Sequence, residues 1–136
     1  MKLLLIYTTE FGWTPRNKTL EDFPDAEKSQ MLKDVQTAFI HVEAEDMENI
    51  TAVEKKLLKN IKWAAGKNNT RRVVLHSFAH LSDSKGDPYF TKDLFNRVEE
   101  RLKNSGYEVF QTPFGYFLDL EMKAPGYSTA RVFKNI

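Results

Sequence analysis

Two histidines at the end of an apolar run are the first residues in this sequence that could do chemistry. His76 and His80 stand in residues 73–82, VVLHSFAHLS, and in an extended backbone they share one side with Phe78. The aliphatic residues 73–75 predict a strand buried on both faces, and open α/β sheets place their ligands at the carboxyl ends of such strands. Imidazole can accept or donate a proton near neutral pH. His80, at the exit of the strand, is therefore the candidate catalytic residue.

The residues around these histidines do not by themselves predict a metal site or a covalent mechanism. The chain has three histidines and no cysteine, and no spacing supplies a third ligand beside His76 and His80. Ser77 and Ser82 flank His80, but neither lies in a G-x-S-x-G turn. Judged alone, His80 is more typical of a structural residue, and so is His41 in its predicted central strand. We expect no metal and no other cofactor.

Hydrophobic periodicity predicts the elements that must position these residues. Apolar residues at helical spacing predict one helix at 51–67 and a second that begins at Asp87 as N-cap, with Pro88 at its first position, and closes at Gly106. Strands are predicted at residues 2–8, 35–43, 73 onward, 107–111, 116–122 and, at a sheet edge, 129–133. The order predicts the α/β class, a single domain with a mixed β-sheet covered by two main helices.

Residues 10–29 are predicted to form a long loop, because they contain two prolines, a glycine and many charges and show no persistent helical or strand periodicity. Phe11, Trp13 and Phe23 would either cap a pocket or pin this loop to the surface, and pinning is the preferred interpretation.

The first predicted helix has a basic face. Lys55, Lys59 and Lys62 lie opposite its apolar stripe. Lysines in this arrangement can contact RNA phosphates and give sequence-independent affinity, although from composition alone a solvated face is the commoner explanation.

Length and composition describe one ordinary domain. The 136 residues carry a formal net charge of +1, and no cysteine is available for a disulfide framework. The apolar residues 3–6 are too few for a signal sequence or a membrane span. We therefore expect a cytoplasmic chain that does not associate with a membrane.

Two separate motifs resemble a known family. Residues 78–82, FAHLS, and residues 113–116, PFGY, are similar to the paired signature of the archaeal threonyl-tRNA synthetase editing domain, a relative of the D-aminoacyl-tRNA deacylases. The similarity extends over nearly the whole chain, to residues 1–6, 38–43 and 126–130. It implies a D-aminoacyl-tRNA deacylase-like fold over residues 1–136. It also implies an enzyme that removes serine mistakenly attached to threonine tRNA, with an attacking water and the 2′-hydroxyl of the terminal adenosine, without metal.

The resemblance assigns roles to individual positions. His80 would lie in the aminoacyl pocket, where hydrolysis needs a positioned water and donors for the oxyanion more than a strong nucleophile. Phe114 or Tyr116 would exclude an acyl group larger than serine, because one methyl group is worth only about 1–3 kcal/mol of binding discrimination. The implied substrate-binding residues are Val42, Ser77, Phe78, Ala79, Phe114, Gly115, Tyr116 and Phe117.

The sequence departs from the family pattern at ionisable positions. Phe117 and Leu118 stand where tyrosine and lysine are common, Arg131 stands where a glutamate is common, and Ser77 replaces a common proline. We expect Arg131, on a strand neighbouring that of Leu118, to bring a positive charge to the ester and to act in catalysis beside His80. The departures favour one alternative, a catalytically weakened or inactive tRNA-binding module associated with a synthetase. A D-aminoacyl-tRNA deacylase is a separate alternative that also stays open.

The expected partners follow from this interpretation. They are threonine-specific tRNA mischarged with serine, a threonyl-tRNA synthetase body, and a second copy of the chain in a homodimer.

Overall fold

Six strands and two helices make up the computed structural model, which describes residues 1–136. The strands form one sheet in the spatial order β4-β3-β2-β1-β5, and β6 also pairs with β1. Strands β2, β3 and β4 are mutually parallel, whereas β1 is antiparallel to β2, β5 and β6. The elements are β1 (Lys2–Lys18), β2 (Gln30–His41), α1 (Ile50–Lys67), β3 (Arg72–Ser77), α2 (Pro88–Asn104), β4 (Glu108–Gln111), β5 (Tyr116–Lys123) and β6 (Arg131–Asn135), with short 3-10 turns at Ala44–Glu48 and Ser128–Ala130.

The predicted fold class is confirmed: the chain is a single α/β domain with a mixed sheet and two helices. Both helices pack on one face of the sheet because each has an apolar stripe, represented by Leu57 and Ile61 of α1 and by Leu94 and Val98 of α2. These side chains join a core of 18 buried residues. Neither helix is long and apolar enough to span a lipid bilayer.

The predicted loop at residues 10–29 is wrong over its first half. Strand β1 continues to Lys18, and Phe11 and Trp13 are 0% and 6% exposed in a second apolar cluster on the other face of the sheet. Two features explain why hydrophobic periodicity did not predict this part of the strand. A register shift interrupts its pairing near Pro15, and Gly12 lies so close to β2 that an added Cβ would be 2.6 Å from Cε of Met31. Phe11 and Trp13 are therefore core residues of the sheet.

The other boundaries shift without changing the order. The strand that begins the VVLHSFAHLS stretch ends at Ser77, so His80 lies in the following loop. Asp87 is the N-cap of α2 as predicted, since its side chain accepts a hydrogen bond from the Phe90 amide. Strand β6 begins two residues later than the predicted 129–133 and pairs with β1 at a sheet edge.

Candidate functional site

A cleft of about 460 Å³ lies where β2 and β3 end and α2 begins. Residues 76–80 form one wall, and residues 113–118 form the other. These segments are far apart in the sequence, and the parallel pairing of β3 with β2 and β4 brings them together. The cleft is lined by His80 and by every residue expected to bind substrate: Val42, Ser77, Phe78, Ala79, Phe114, Gly115, Tyr116 and Phe117.

His80 is exposed at this cleft and is held between aromatic rings. Its ring centroid lies 4.9 Å from that of Phe78 at a steep angle, and 6.4 Å from that of Phe117 in a stacked arrangement. Its two nitrogens form no hydrogen bond within the protein. The imidazole is thus oriented by ring contacts while its nitrogens are open to a water or a substrate.

His76 lies beneath His80 and is buried, with 6% of its surface exposed. Its Nδ1 lies 2.8 Å from Oγ1 of Thr112. Burial, with a smaller contribution from His80, lowers the pKa of His76 to about 4. The ring is therefore neutral at neutral pH and forms the floor of the site. No group of three or more His, Asp or Glu side chains is placed to hold a metal ion.

His41 holds the loop that follows His80. Its Nδ1 accepts a hydrogen bond of 3.0 Å from the Leu81 amide, so Nε2 carries the proton and donates to the Ser84 carbonyl oxygen at 2.6 Å. His41 is fully buried at the end of β2. The structural interpretation favoured for this histidine is confirmed by these contacts.

Glu43 anchors the same loop from the other side. Its carboxylate accepts a hydrogen bond of 2.6 Å from Oγ of Ser82 and lies 2.9 Å from the Met1 ammonium and 3.0 Å from Nζ of Lys2. The Ser82 hydroxyl, then the N-terminal ammonium and Lys2, lower the pKa of Glu43 to about 2. The loop is therefore tied to a charged cluster at the amino terminus of the chain.

The second wall depends on Gly115. Its φ of +82° is in the left-handed region, and an added Cβ would lie 2.9 Å from Cβ of Leu20. Its carbonyl oxygen accepts hydrogen bonds from the Thr19 amide at 2.6 Å and from the Thr19 hydroxyl at 3.0 Å. The Tyr116 hydroxyl accepts one from the Ala26 amide at 3.0 Å. Residues 19–26 are thereby fastened to the turn, and Thr19 and Leu20 join the lining of the cleft.

Phe114 is fixed by rings on two sides. Its centroid lies 4.8 Å from that of Phe23 and 6.1 Å from that of Phe95 in α2. Phe23 also packs on Tyr89, with centroids 5.4 Å apart. Phe23 therefore pins the irregular segment, as expected, and gives the cleft a rigid aromatic wall.

Arg131 lies outside the cleft, and the expectation that it reaches the ester is wrong for a single chain. Leu118 lines the cleft and pairs with Pro15, whereas Arg131 pairs with Ile6. These partners are nine positions apart in β1, which is about 30 Å along a strand. Strands β5 and β6 lie end to end along β1, so the guanidinium donates instead to the Ala124 carbonyl oxygen at 3.3 Å.

The basic face of α1 is also apart from the cleft, since none of its three predicted lysines lines it. Lys59 borders a separate depression beside the exposed Trp63, and Lys62 donates to Oγ of Ser105 at 3.1 Å. Lys55 is exposed. The three lysines remain a proposed phosphate contact.

Sequence reasoning missed several residues of the cleft. Thr19 and Leu20 come from a segment with no periodic signal, whereas Lys85 and Gly86 belong to the loop before α2. Only one sequence signal could have pointed to Lys85 and Gly86: they lie in a loop between the end of a predicted strand and the N-cap of a predicted helix.

Comparison with known families agrees with the geometry of the cleft. All of residues 1–136 match a family model described as the archaea-specific editing domain of threonyl-tRNA synthetase. The chain belongs to this family. The resemblance inferred from the paired motifs is thus confirmed.

Curated relatives of this editing-domain chain include much longer proteins. Threonine–tRNA ligases of Thermococcus kodakarensis, Methanopyrus kandleri and Pyrococcus furiosus are 31%, 29% and 29% identical to it. Each alignment covers 100% of the chain but 22% of the relative. The chain therefore corresponds to about a fifth of those ligases.

A solved structure supports the fold of the editing-domain chain. The protein titled c-Myc DNA Unwinding Element Binding Protein superposes with a TM-score of 0.69 over 100% of this chain and 99% of that one, at 12% identity. Identity at this level shows shared architecture alone. The predicted D-aminoacyl-tRNA deacylase-like fold is confirmed.

Proposed function

We propose that this domain hydrolyses the ester that joins serine to the terminal adenosine of threonine tRNA. The observation that carries the proposal is that residues 78–80 of the first family motif and residues 113–116 of the second line one cleft. Membership of the editing-domain family over the whole chain supports a proofreading deacylation. The more specific assignment, that the substrate is threonine tRNA carrying serine, follows from the resemblance.

Two free backbone amides support this reaction. The Phe78 amide donates to the Ile40 carbonyl oxygen and the Leu81 amide to His41, but the amides of Ala79 and His80 between them have no partner within the protein. Both residues line the cleft. Paired amides at a strand exit are suitable donors for the oxyanion that forms when water attacks an ester carbonyl.

His80 would position the attacking water and receive its proton. The carbonyl carbon gains the hydroxyl oxygen, the bond to the ribose 3′-oxygen breaks, and the 3′-oxygen leaves with a proton, so that free serine and uncharged tRNA result. The adjacent 2′-hydroxyl of the tRNA would assist the water, as the resemblance implies. General acid–base help of this kind contributes typically about 10²–10⁴-fold.

Size selection would come from the aromatic wall. Rings on two sides hold Phe114, and the hydroxyl of Tyr116 is held by the Ala26 amide. A wall that cannot move aside can exclude an acyl group larger than serine, which a single binding pocket does poorly by affinity alone.

One observation favours a second candidate function, a tRNA-binding module with little or no activity. No aspartate or glutamate lines the cleft, and Leu118 and Phe117 contribute no ionisable group. General acid–base chemistry would then proceed without a carboxylate, with His80 and the 2′-hydroxyl of the substrate as its main groups. We therefore propose a slow enzyme, with the inactive module as its rival.

Release of labelled serine from threonine tRNA tests the proposal. We expect hydrolysis above the spontaneous rate with seryl tRNA, slower hydrolysis with threonyl tRNA and with a D-aminoacyl tRNA, and a further loss in His80→Ala. Faster release of the D-amino acid would favour a D-aminoacyl-tRNA deacylase. A spontaneous rate with every substrate, together with retained tRNA binding, would favour the inactive module.

We also propose that two copies associate through the face of the sheet that carries no helix. Phe133 and Met122 on this face are 54% and 43% exposed. Sedimentation of wild type and Phe133→Ser would test this, with a dimer expected for wild type and a monomer for the variant. A monomeric wild type would point instead to the synthetase body as the occupant of this face.

A further inference from the structure

One cation stands alone in the charge pattern of the cleft. Of the twenty lining residues, Lys85 is the only lysine or arginine, and none is an aspartate or glutamate. Much of the remaining lining is apolar or aromatic, with Ile40, Leu118 and Leu120 among its members. A single positive charge on the rim of such a cleft favours an anion there, because no carboxylate competes for it.

Gly86 puts Lys85 in this position. The Gly86 amide donates to the Val42 carbonyl oxygen at 2.8 Å, and an added Cβ would lie 2.7 Å from Cγ1 of Val42. Only glycine allows the loop to approach the end of β2 so closely. The side chain of the preceding residue, Lys85, then extends toward residues 76–80, and its Nζ donates to the Ala79 carbonyl oxygen at 2.8 Å.

The ammonium of Lys85 retains capacity for a ligand. Asp83 and Asp87 flank it in the sequence, but neither forms an ion pair with it, and the Asp87 carboxylate accepts from the Phe90 amide as the N-cap of α2. The contact with Ala79 uses one of three ammonium protons. The remaining donors are exposed at the cleft rim next to His80.

We infer that Lys85 binds the phosphate that links the terminal adenosine of the tRNA to the preceding nucleotide. This inference rests on the proposed function. The aminoacyl ester is uncharged, and its α-ammonium is repelled by Lys85, so the phosphate is the one group near the ester that matches this cation. With the phosphate held at the rim, the acyl group extends inward toward the free amides of Ala79 and His80.

Two ligands that cannot be hydrolysed test the inference. One is adenosine with serine attached at the 3′-position through an amide, and the other is its 5′-monophosphate. Calorimetry would compare their affinities for wild type, Lys85→Gln, Lys85→Arg and the control Lys103→Gln, whose ammonium pairs with Glu99 on the exposed side of α2. Glutamine keeps an N–H donor for Ala79 but loses the charge. Thermal unfolding would confirm that each variant is folded.

We expect the phosphate to raise the affinity of wild type by about 10-fold, as for a charge-assisted hydrogen bond. The increment should disappear in Lys85→Gln and persist in Lys85→Arg and Lys103→Gln. An increment that survives in Lys85→Gln, or no increment in wild type, overturns the assignment. If Lys85→Gln weakens the binding of both ligands equally, Lys85 holds the loop in place instead of binding phosphate. If Lys85→Gln tightens the binding of both ligands, Lys85 competes with the substrate for the Ala79 carbonyl oxygen, and the assignment is again overturned.

Calorimetry and the serine-release assay together separate this inference from the proposed function. If the gain in affinity from the phosphate depends on Lys85 but no serine is released from tRNA, the phosphate site is supported and the proposed enzyme activity is not. If serine is released but the increment is absent, the enzyme stands without this site. If neither ligand binds wild type and no serine is released, both proposals are overturned.

Discussion

The carboxylate of Glu43 accepts a hydrogen bond of 2.6 Å from the hydroxyl of Ser82, and this contact joins the loop that carries His80 to the amino terminus of the chain. The same carboxylate lies 2.9 Å from the Met1 ammonium, whose residue is 1% exposed. A buried ammonium needs a counter-charge, so Glu43 serves the fold and the site together.

Replacing Glu43 by glutamine should destabilise the protein at neutral pH by about 2 kcal/mol, because buried charges lose their partner. The folded-state pKa of Glu43 lies near 2, below its ordinary value of 4.5, so its contribution is complete above 4.5 and is lost as pH falls toward 2. Urea unfolding of wild type and Glu43→Gln at pH 7 and pH 3 measures the loss of stability and its dependence on pH. The exposed Glu100→Gln is the control. A gap between wild type and variant that is independent of pH would contradict the prediction.

His76 should titrate near pH 4 because burial disfavours its charged form. Its folded-state pKa is below the ordinary 6.5, so the unfolded state binds the extra proton and stability should fall as pH drops from 6.5 toward 4. NMR titration of the ring protons gives the midpoint directly. A midpoint near 6.5 would mean that the floor of the cleft is wetter than its 6% exposure indicates.

Leu118→Lys should raise the rate of serine release by about 10-fold, since a cation at the cleft can stabilise the developing oxyanion. Leu118 is only partly buried, so a lysine stem can extend along the apolar lining to the cleft. Arg131→Ala is the control and should leave the rate unchanged, because Arg131 lies about 30 Å away along β1. Single-turnover hydrolysis measures both variants. A rate that falls in Arg131→Ala would show that a second copy supplies this side chain.

Hydrolysis should nearly vanish with tRNA that ends in 2′-deoxyadenosine and should survive EDTA. The first expectation follows because no carboxylate lines the cleft, so that the 2′-hydroxyl of the substrate would have to assist the water beside His80. The second follows because a catalytic metal needs about three protein ligands. Activity lost in EDTA and restored by zinc would refute the second expectation.

Changing Lys55, Lys59 and Lys62 to glutamine together should weaken tRNA binding and flatten its salt dependence, because each phosphate contact releases counterions. Binding at several salt concentrations gives the slope for the variant and for wild type. A triple change at Lys28, Lys33 and Lys103, which lie outside α1, is the charge-matched control. An unchanged slope in the first variant would mean that this face of α1 is merely solvated.

Local patterns in the sequence were sufficient for the helices, for most strands and for the two motifs that meet at the cleft. The stripe of α1 and the N-cap at Asp87 are properties of neighbouring residues, so they can be recognised without tertiary contacts. The resemblance placed His80 and the eight expected substrate-binding residues correctly along the cleft, because family signatures preserve order along the chain, but it did not point to Thr19, Leu20, Lys85 or Gly86.

Tertiary structure alone decided which residues share the cleft. Strand β1 continues past Thr8 because β2 and β5 supply its hydrogen bonds, and distant partners of this kind leave no period in the strand itself. Arg131 was misplaced because the sequence does not reveal that β5 and β6 lie end to end along β1 rather than side by side. Lys85 reaches the cleft because Gly86 packs against Val42, a contact between two loops that no spacing rule encodes.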